Sequence, residues 1–157
     1  MVIIEVGKEL ILENVLSLRK KLTQEEINNE MIKIGKFFES NSINKAGPVV
    51  TCTYSAEVVN AVVMMDMEIL VPMDRTVDLV DYTLKPIFRL VNAVYARHYG
   101  DPTKLQDTYN EMLEFIQKNK LQQITPGYNV TVKDILPDMN PNEIIVDVYV
   151  GVSPNIL

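Results

Sequence analysis

Two acidic side chains stand in segments of alternating character. Met65-Asp-Met-Glu68-Ile-Leu-Val71 and Ile144-Ile-Val-Asp147-Val-Tyr-Val150 each carry an apolar residue at every second position. Glu68 and Asp147 hold matching places in these runs. Two carboxylates that met across a dry cleft could act as general acid and base; the alternative is a pair of solvent-facing strand residues. Tyrosines are the second resource. Tyr54, Tyr95, Tyr128 and Tyr149 all fall in strand-like segments, where an apolar ring with a polar tip suits a ligand cleft. Ordinary packing in a core or on a sheet surface is the alternative for these rings.

Other chemistries find little support. His98 is the single histidine and Cys52 the single cysteine, so neither a clustered metal site nor a disulfide framework is expected within the chain. His98 reads as a strand-end surface residue and Cys52 as a small strand residue. No Gly-x-Ser-x-Gly elbow and no phosphate-cradling glycine loop occurs. The expectation is therefore no catalytic residue, no metal and no cofactor, with a hydrolase built on Glu68 or Asp147 as the weakest reading.

The 157 residues carry a formal charge of −6, with a sequence pI near 4.8, and 47% are hydrophobic. That balance supports a packed core and disfavours a nucleic-acid surface, which needs clustered Lys and Arg. Glu5, Lys8 and Glu9 interrupt the N-terminal apolar stretch before it reaches the length of a signal sequence or a membrane span. A soluble, cytoplasmic chain is expected, with no membrane or nucleic-acid partner.

Two amphipathic helices are expected to position the candidate residues. Ile27, Met31, Ile34 and Phe38 share one helical face, and Leu105, Tyr109, Met112 and Ile116 repeat the spacing 78 residues later. Thr23 with Glu26 forms a capping-box pattern at the first start; Asp101 followed by Pro102 occupies the same register at the second. Arg19 and Arg97 share the 78-residue offset, in Glu13-Asn-Val-Leu-Ser-Leu-Arg19 and Leu90-Val-Asn-Ala-Val-Tyr-Ala-Arg97. Gly47-Pro-Val-Val-Thr-Cys-Thr-Tyr54 and Pro126-Gly-Tyr-Asn-Val-Thr-Val132 follow the helices as turn-then-strand segments. At Glu68 and Asp147 the offset is 79. A shared stripe, cap position, arginine and strand order point to an internal duplication.

On these segments the chain resembles the GyrI-like effector-binding domains, the small-molecule domains of AraC-type and multidrug-responsive regulators, which also occur alone. The nearest match is Asn92-Ala-Val-Tyr-Ala-Arg-His-Tyr-Gly-Asp-Pro102, the helix after it, Gly127-Tyr-Asn129 and Asn142-Glu-Ile-Ile-Val-Asp-Val-Tyr-Val150. Gly47–Tyr54 and Met67-Glu-Ile-Leu-Val-Pro72 match more loosely. The resemblance implies a cleft at a pseudo-two-fold axis, lined by aromatics. It also implies a buried Glu for cationic ligands after the second-half aromatic. Tyr128 matches that aromatic, but Asn129 stands where the Glu is expected. An amide cannot offset a buried cation as a carboxylate can. The family's regulators carry a helix-turn-helix domain for which this chain has no spare length, so a DNA-binding regulator is not expected.

The expected fold is α+β: duplicated β-α-β-β halves with pseudo-two-fold symmetry, an antiparallel sheet of about eight strands and two main helices on one face. It is expected to form one domain over residues 1–157, as pseudo-repeats of about 1–74 and 86–153 joined by 75–85. Wholly apolar rows should lie under the helices, and mixed rows should face solvent or a cleft between the halves. The expected function is non-catalytic binding of a small neutral or amphipathic molecule in that cleft. Tyr54, Glu68, Tyr95, Tyr128, Asn129 and Tyr149 are the candidate liners, with Asn129 orienting the ligand and Glu68 a charge anchor. A protein-interaction module, with a protein partner in place of the small-molecule ligand, is the alternative.

Overall fold

The computed structural model describes residues 2–133, 136 and 138–156. Its elements are β1 (Ile4–Leu22), α1 (Gln24–Ser40), β2 (Val50–Val59), β3 (Val62–Pro72), β4 (Thr83–Tyr99), α2 (Leu105–Lys118), β5 (Gln123–Thr131) and β6 (Ile145–Val152). The order β-α-β-β thus occurs twice along the chain. Two compact units divide it: Leu12–Phe88, here the first unit, and Arg89–Leu157 with Met1–Ile11, the second.

In the first unit β3 pairs antiparallel with β1 and with β2. Register places Leu16 opposite Val71 and Leu18 opposite Ile69 on one side of the strands, and Ser17 opposite Leu70 and Arg19 opposite Glu68 on the other. α1 covers the apolar side. Its Ile27, Ile34 and Phe38 pack with Leu16, Met67, Ile69 and Val71, and Met31 leans on the same cluster. The helix starts where the sequence says it should. Glu26 N–H donates to Thr23 Oγ1 at 3.2 Å, and Thr23 N–H donates to the Glu26 carboxylate at 3.0 Å.

In the second unit β6 pairs antiparallel with β4 and with β5. Val146, Val148 and Val150 lie under α2, against Met112 and Ile116, with Leu105 and Tyr109 packed at the margin. The expected apolar rows therefore do sit under the helices. Asp101 caps as anticipated, accepting from Thr103 N–H at 2.9 Å. The turn it caps, Pro102–Lys104, is a 3₁₀ turn, so α2 proper begins only at Leu105.

β5 passes close beneath α2. A Cβ added at Gly127 would stand 2.6 Å from Tyr109 Cε2, so the strand can approach the ring only without a side chain there. Gly127→Ala should cost about 1–3 kcal/mol through overpacking, read as a lower urea midpoint. Pairing the substitution with Tyr109→Leu should return part of the loss.

The sheet expectation needs correction. Among the described residues there are six strands, not about eight, and their order is that of a closed barrel, β1-β3-β2-β5-β6-β4. Two strands are far longer than sequence periodicity indicates. β1 runs for 19 residues, through Glu5, Lys8, Glu9 and Glu13, and β4 for 17, through Lys85 and Pro86. The charges in β1 occupy exposed positions while Leu10 and Leu12 are buried between them, so the run is one strand rather than a strand and a loop. Closure of a sheet removes the unpaired edges that an open antiparallel sheet would leave.

Candidate functional site

The side of each unit's strands turned away from its helix holds the polar groups. In the first unit the central group is Glu68, which is 2% exposed. Its Oε2 accepts from Ser17 Oγ at 2.5 Å and from Lys85 Nζ at 2.5 Å; its Oε1 accepts from the Tyr54 hydroxyl at 2.9 Å. Each donor has a structural origin. Ser17 stands two residues before Arg19 on the facing strand. Tyr54 sits at an irregularity in β2, where the register shifts between Thr53 and Ser55. Lys85 comes from the first residues of β4, which belong to this unit.

Burial is the largest single influence on the Glu68 carboxyl and pushes its pKa up. The hydrogen bonds from Lys85, Ser17 and Tyr54, with the charge of Lys85, together outweigh burial and hold the group below the usual glutamate range. Arg19, directly opposite Glu68 in the ladder, does not serve it. Its guanidinium donates to Asp66 at 3.3 and 3.2 Å and lies 3.7 Å from the centroid of the Tyr54 ring.

The second unit shows a related arrangement around Asp147, which is also buried. Arg97, opposite it in register, donates from Nε to Oδ1 at 2.7 Å and from Nη2 to Oδ2 at 2.9 Å. This is the two-point geometry that suits guanidinium and carboxylate. The Tyr95 hydroxyl adds a bond to Oδ1 at 2.9 Å. Burial first, and then the bond and charge of Asp147, push the Tyr95 phenol up to about 12, so it remains a neutral donor near pH 7. In both units a carboxylate stands opposite an arginine and accepts from a hydroxyl two residues before that arginine.

Three tyrosines run across the second unit's strands in one row. Tyr149 pairs with Tyr95 on β4 and with Tyr128 on β5, and the Tyr95 and Tyr149 ring centroids are 5.1 Å apart. Burial raises the Tyr149 phenol as well. A pocket of about 730 Å³ lies along the end of β4 and α2, lined among others by Arg97, Tyr99, Thr108 and Glu111; of the row only Tyr95 reaches it.

The six sequence candidates thus separate. Tyr54 and Glu68 touch within the first unit, and Tyr95, Tyr128 and Tyr149 form one row in the second. Asn129 departs from its row: it pairs with Val148, and strand alternation turns it to the side opposite Tyr128. Glu68 and Asp147 are buried, not solvent-facing. His98 is also buried rather than a surface residue. Its Nδ1 lies 2.7 Å from Thr108 Oγ1 and its Nε2 donates to the Asp101 carbonyl at 2.9 Å, tying β4 to the start of α2. Sequence reasoning missed Ser17, Lys85 and the role of Arg97. The 78-residue offset between Arg19 and Arg97 was the available signal for the arginines; Lys85 carried none. Among the described residues no three His, Cys, Asp or Glu side chains gather as metal ligands. No helix among them is long and apolar enough to cross a membrane.

Solved structures share this architecture. The C-terminal domain of EcmrR superposes with a TM-score of 0.74 at 14% identity, over 98% of this chain and 97% of that one. EcmrR in its DNA complex gives the same TM-score and 14% identity, and there the chain spans only 57% of the protein it matches. A hydrolase from Listeria innocua aligns at 0.58 and 14% identity, over 94% of this chain and 92% of that chain. SAV2435 bound to tetraphenylphosphonium aligns at 0.52 and 12%, over 98% of this chain and 94% of that chain. No protein-family model and no curated protein matches the sequence. At these identities the likeness establishes the fold, which is consistent with the GyrI-like architecture that the sequence resembles. The class defined is a six-stranded antiparallel barrel with two helices and two internally neutralised carboxylates.

Proposed function

We propose that the chain is a non-catalytic ligand-binding domain of GyrI-like type, built from a duplicated β-α-β-β unit. Its ligand is a small neutral or amphipathic molecule held by side chains on the helix-free strand faces. The observation that carries this reading is the Tyr95–Tyr149–Tyr128 row beside an Asp147 already neutralised by Arg97. The rings offer flat apolar contact with hydroxyl tips, and the carboxylate has no charge left to offer a cation. The solved structure of SAV2435 bound to tetraphenylphosphonium supports a small-molecule-binding role for this fold. Both carboxylates here carry a cation of the same chain, which separates the expected ligand class from the phosphonium bound by SAV2435.

A thermal-shift screen over neutral and amphipathic compounds tests the reading. At least one compound should raise the Tm of the wild-type chain, and Tyr149→Leu should abolish that rise. A screen in which only compounds insensitive to Tyr149→Leu act, or none does, contradicts it.

One observation favours a second reading as a protein-interaction module. The β2–β3 hairpin tip exposes Val58, Val59, Val62 and Val63 around a turn in which Asn60 and Ala61 both have positive φ. Four exposed valines on one short hairpin form an apolar contact surface. A stoichiometric protein partner that is lost on Val58→Ser/Val63→Ser would support this reading over the first.

A further inference from the structure

The two buried carboxylates differ in how they are neutralised, and the difference assigns a role to Lys85. Asp147 is met by the arginine opposite it in the ladder, at two points and through a planar, rigid group. Glu68 has an arginine at the same place, but Arg19 is turned to Asp66 and the Tyr54 ring. Its neutralisation falls to Lys85, 17 residues further along the chain. That ammonium makes a single-point contact at the end of a flexible four-carbon stem, and the Lys85 side chain is 36% exposed. With the lysine set aside, what remains is a buried carboxylate with one hydroxyl donor on each oxygen, from Ser17 and Tyr54. Such a group accepts the N–H donors of any primary ammonium of suitable size.

We infer that Lys85 is the specificity-determining residue of the Glu68 face: its ammonium is a tethered occupant of an ammonium-binding position, and that position takes a free organic ammonium once the lysine side chain is removed. A group tethered within the same fold acts at an effective concentration of about millimolar or higher. A free amine therefore does not displace it, and in the wild-type chain the Glu68 position refuses organic ammonium ions. The inference goes beyond the ligand-binding reading, which concerns the second unit's tyrosine row, and it fails separately from that reading.

The test uses the full chain, with n-butylammonium as the probe and n-butanol as its uncharged control. Lys85→Ala should gain a response: butylammonium at ten times its Kd should raise Tm by about 3–6 °C. Butanol should have a much smaller effect. Wild type should not respond to butylammonium, and Lys85→Ala/Glu68→Gln should lose the response. Equal responses of wild type and Lys85→Ala, equal effects of amine and alcohol, or no response of Lys85→Ala would each overturn the inference. Should Lys85→Ala fail to fold alone, refolding is repeated with butylammonium present; recovery of the folded chain supports the inference and no recovery overturns it. The ligand-binding reading stands or falls on the wild-type compound screen, which none of these outcomes decides.

Discussion

Lys85→Met lowers stability by about 2 kcal/mol at pH 7, and by less as the pH falls. Removing one partner of a buried ion pair costs about 3–5 kcal/mol. The figure is reduced here because Lys85 is partly solvated and Glu68 keeps the Ser17 and Tyr54 hydroxyls. The pH dependence follows from the carboxyl. In the wild type Glu68 is held below its usual range. Its contribution is present above the unfolded value of about 4.3 and is lost as pH falls through the lowered folded value. In the variant burial is left with two neutral donors to oppose it, and the folded pKa moves above the unfolded one. The folded variant then binds more protons than the unfolded chain, so its stability drops as pH rises. Urea unfolding at pH 7 and pH 4 should show the gap between wild type and variant narrowing at pH 4. A gap of equal size at both would show that Lys85 acts through packing of its stem rather than through charge.

Met112→Ala has the largest expected effect in the second unit, a loss of about 3 kcal/mol from the lost transfer energy and the cavity left behind. Met112 is fully buried and packs with Val146, Val148 and Val150 under α2. Those valines alternate along β6 with Asp147 and Tyr149. The same strand therefore anchors the helix on one side and presents the carboxylate and the central tyrosine on the other. Loosening α2 over β6 should thus be felt at the Tyr95–Asp147 bond as well as in the urea midpoint. A surface substitution on α1, Ile32→Ala, should change stability by no more than about 0.5 kcal/mol, since Ile32 is exposed.

The helices were legible because their signals are local. A 3.6-residue stripe and a cap four residues from its first apolar member define α1 without reference to anything distant. The pairing of Arg97 with Asp147 was half legible, since the repeats of Arg19 at Arg97 and of Glu68 at Asp147 mark equivalent positions before they reveal contact. Strand length was not legible. Charges at alternate positions of β1 read as a break when counted along the sequence, yet they are the solvent side of one continuous strand. Lys85 was hidden for a related reason: beside Pro86, after an aspartate-rich stretch, it reads as linker, and only tertiary contact brings its ammonium to Glu68. Asn129 shows the opposite error. A family position carried across by sequence neighbourhood placed it with Tyr128, but period-two alternation sends adjacent strand residues to opposite faces.

Ring-labelled tyrosine NMR of the wild-type chain, titrated with the compound that most raises its Tm, tests the ligand-binding claim most directly. The seven tyrosines report separately once assigned by single Tyr→Phe substitutions. The account predicts that Tyr95, Tyr128 and Tyr149 shift together and saturate with one affinity, while Tyr82 and Tyr109 stay in place. Shifts confined to Tyr82, Tyr99 or Tyr109, or no saturable shift at all, would contradict it.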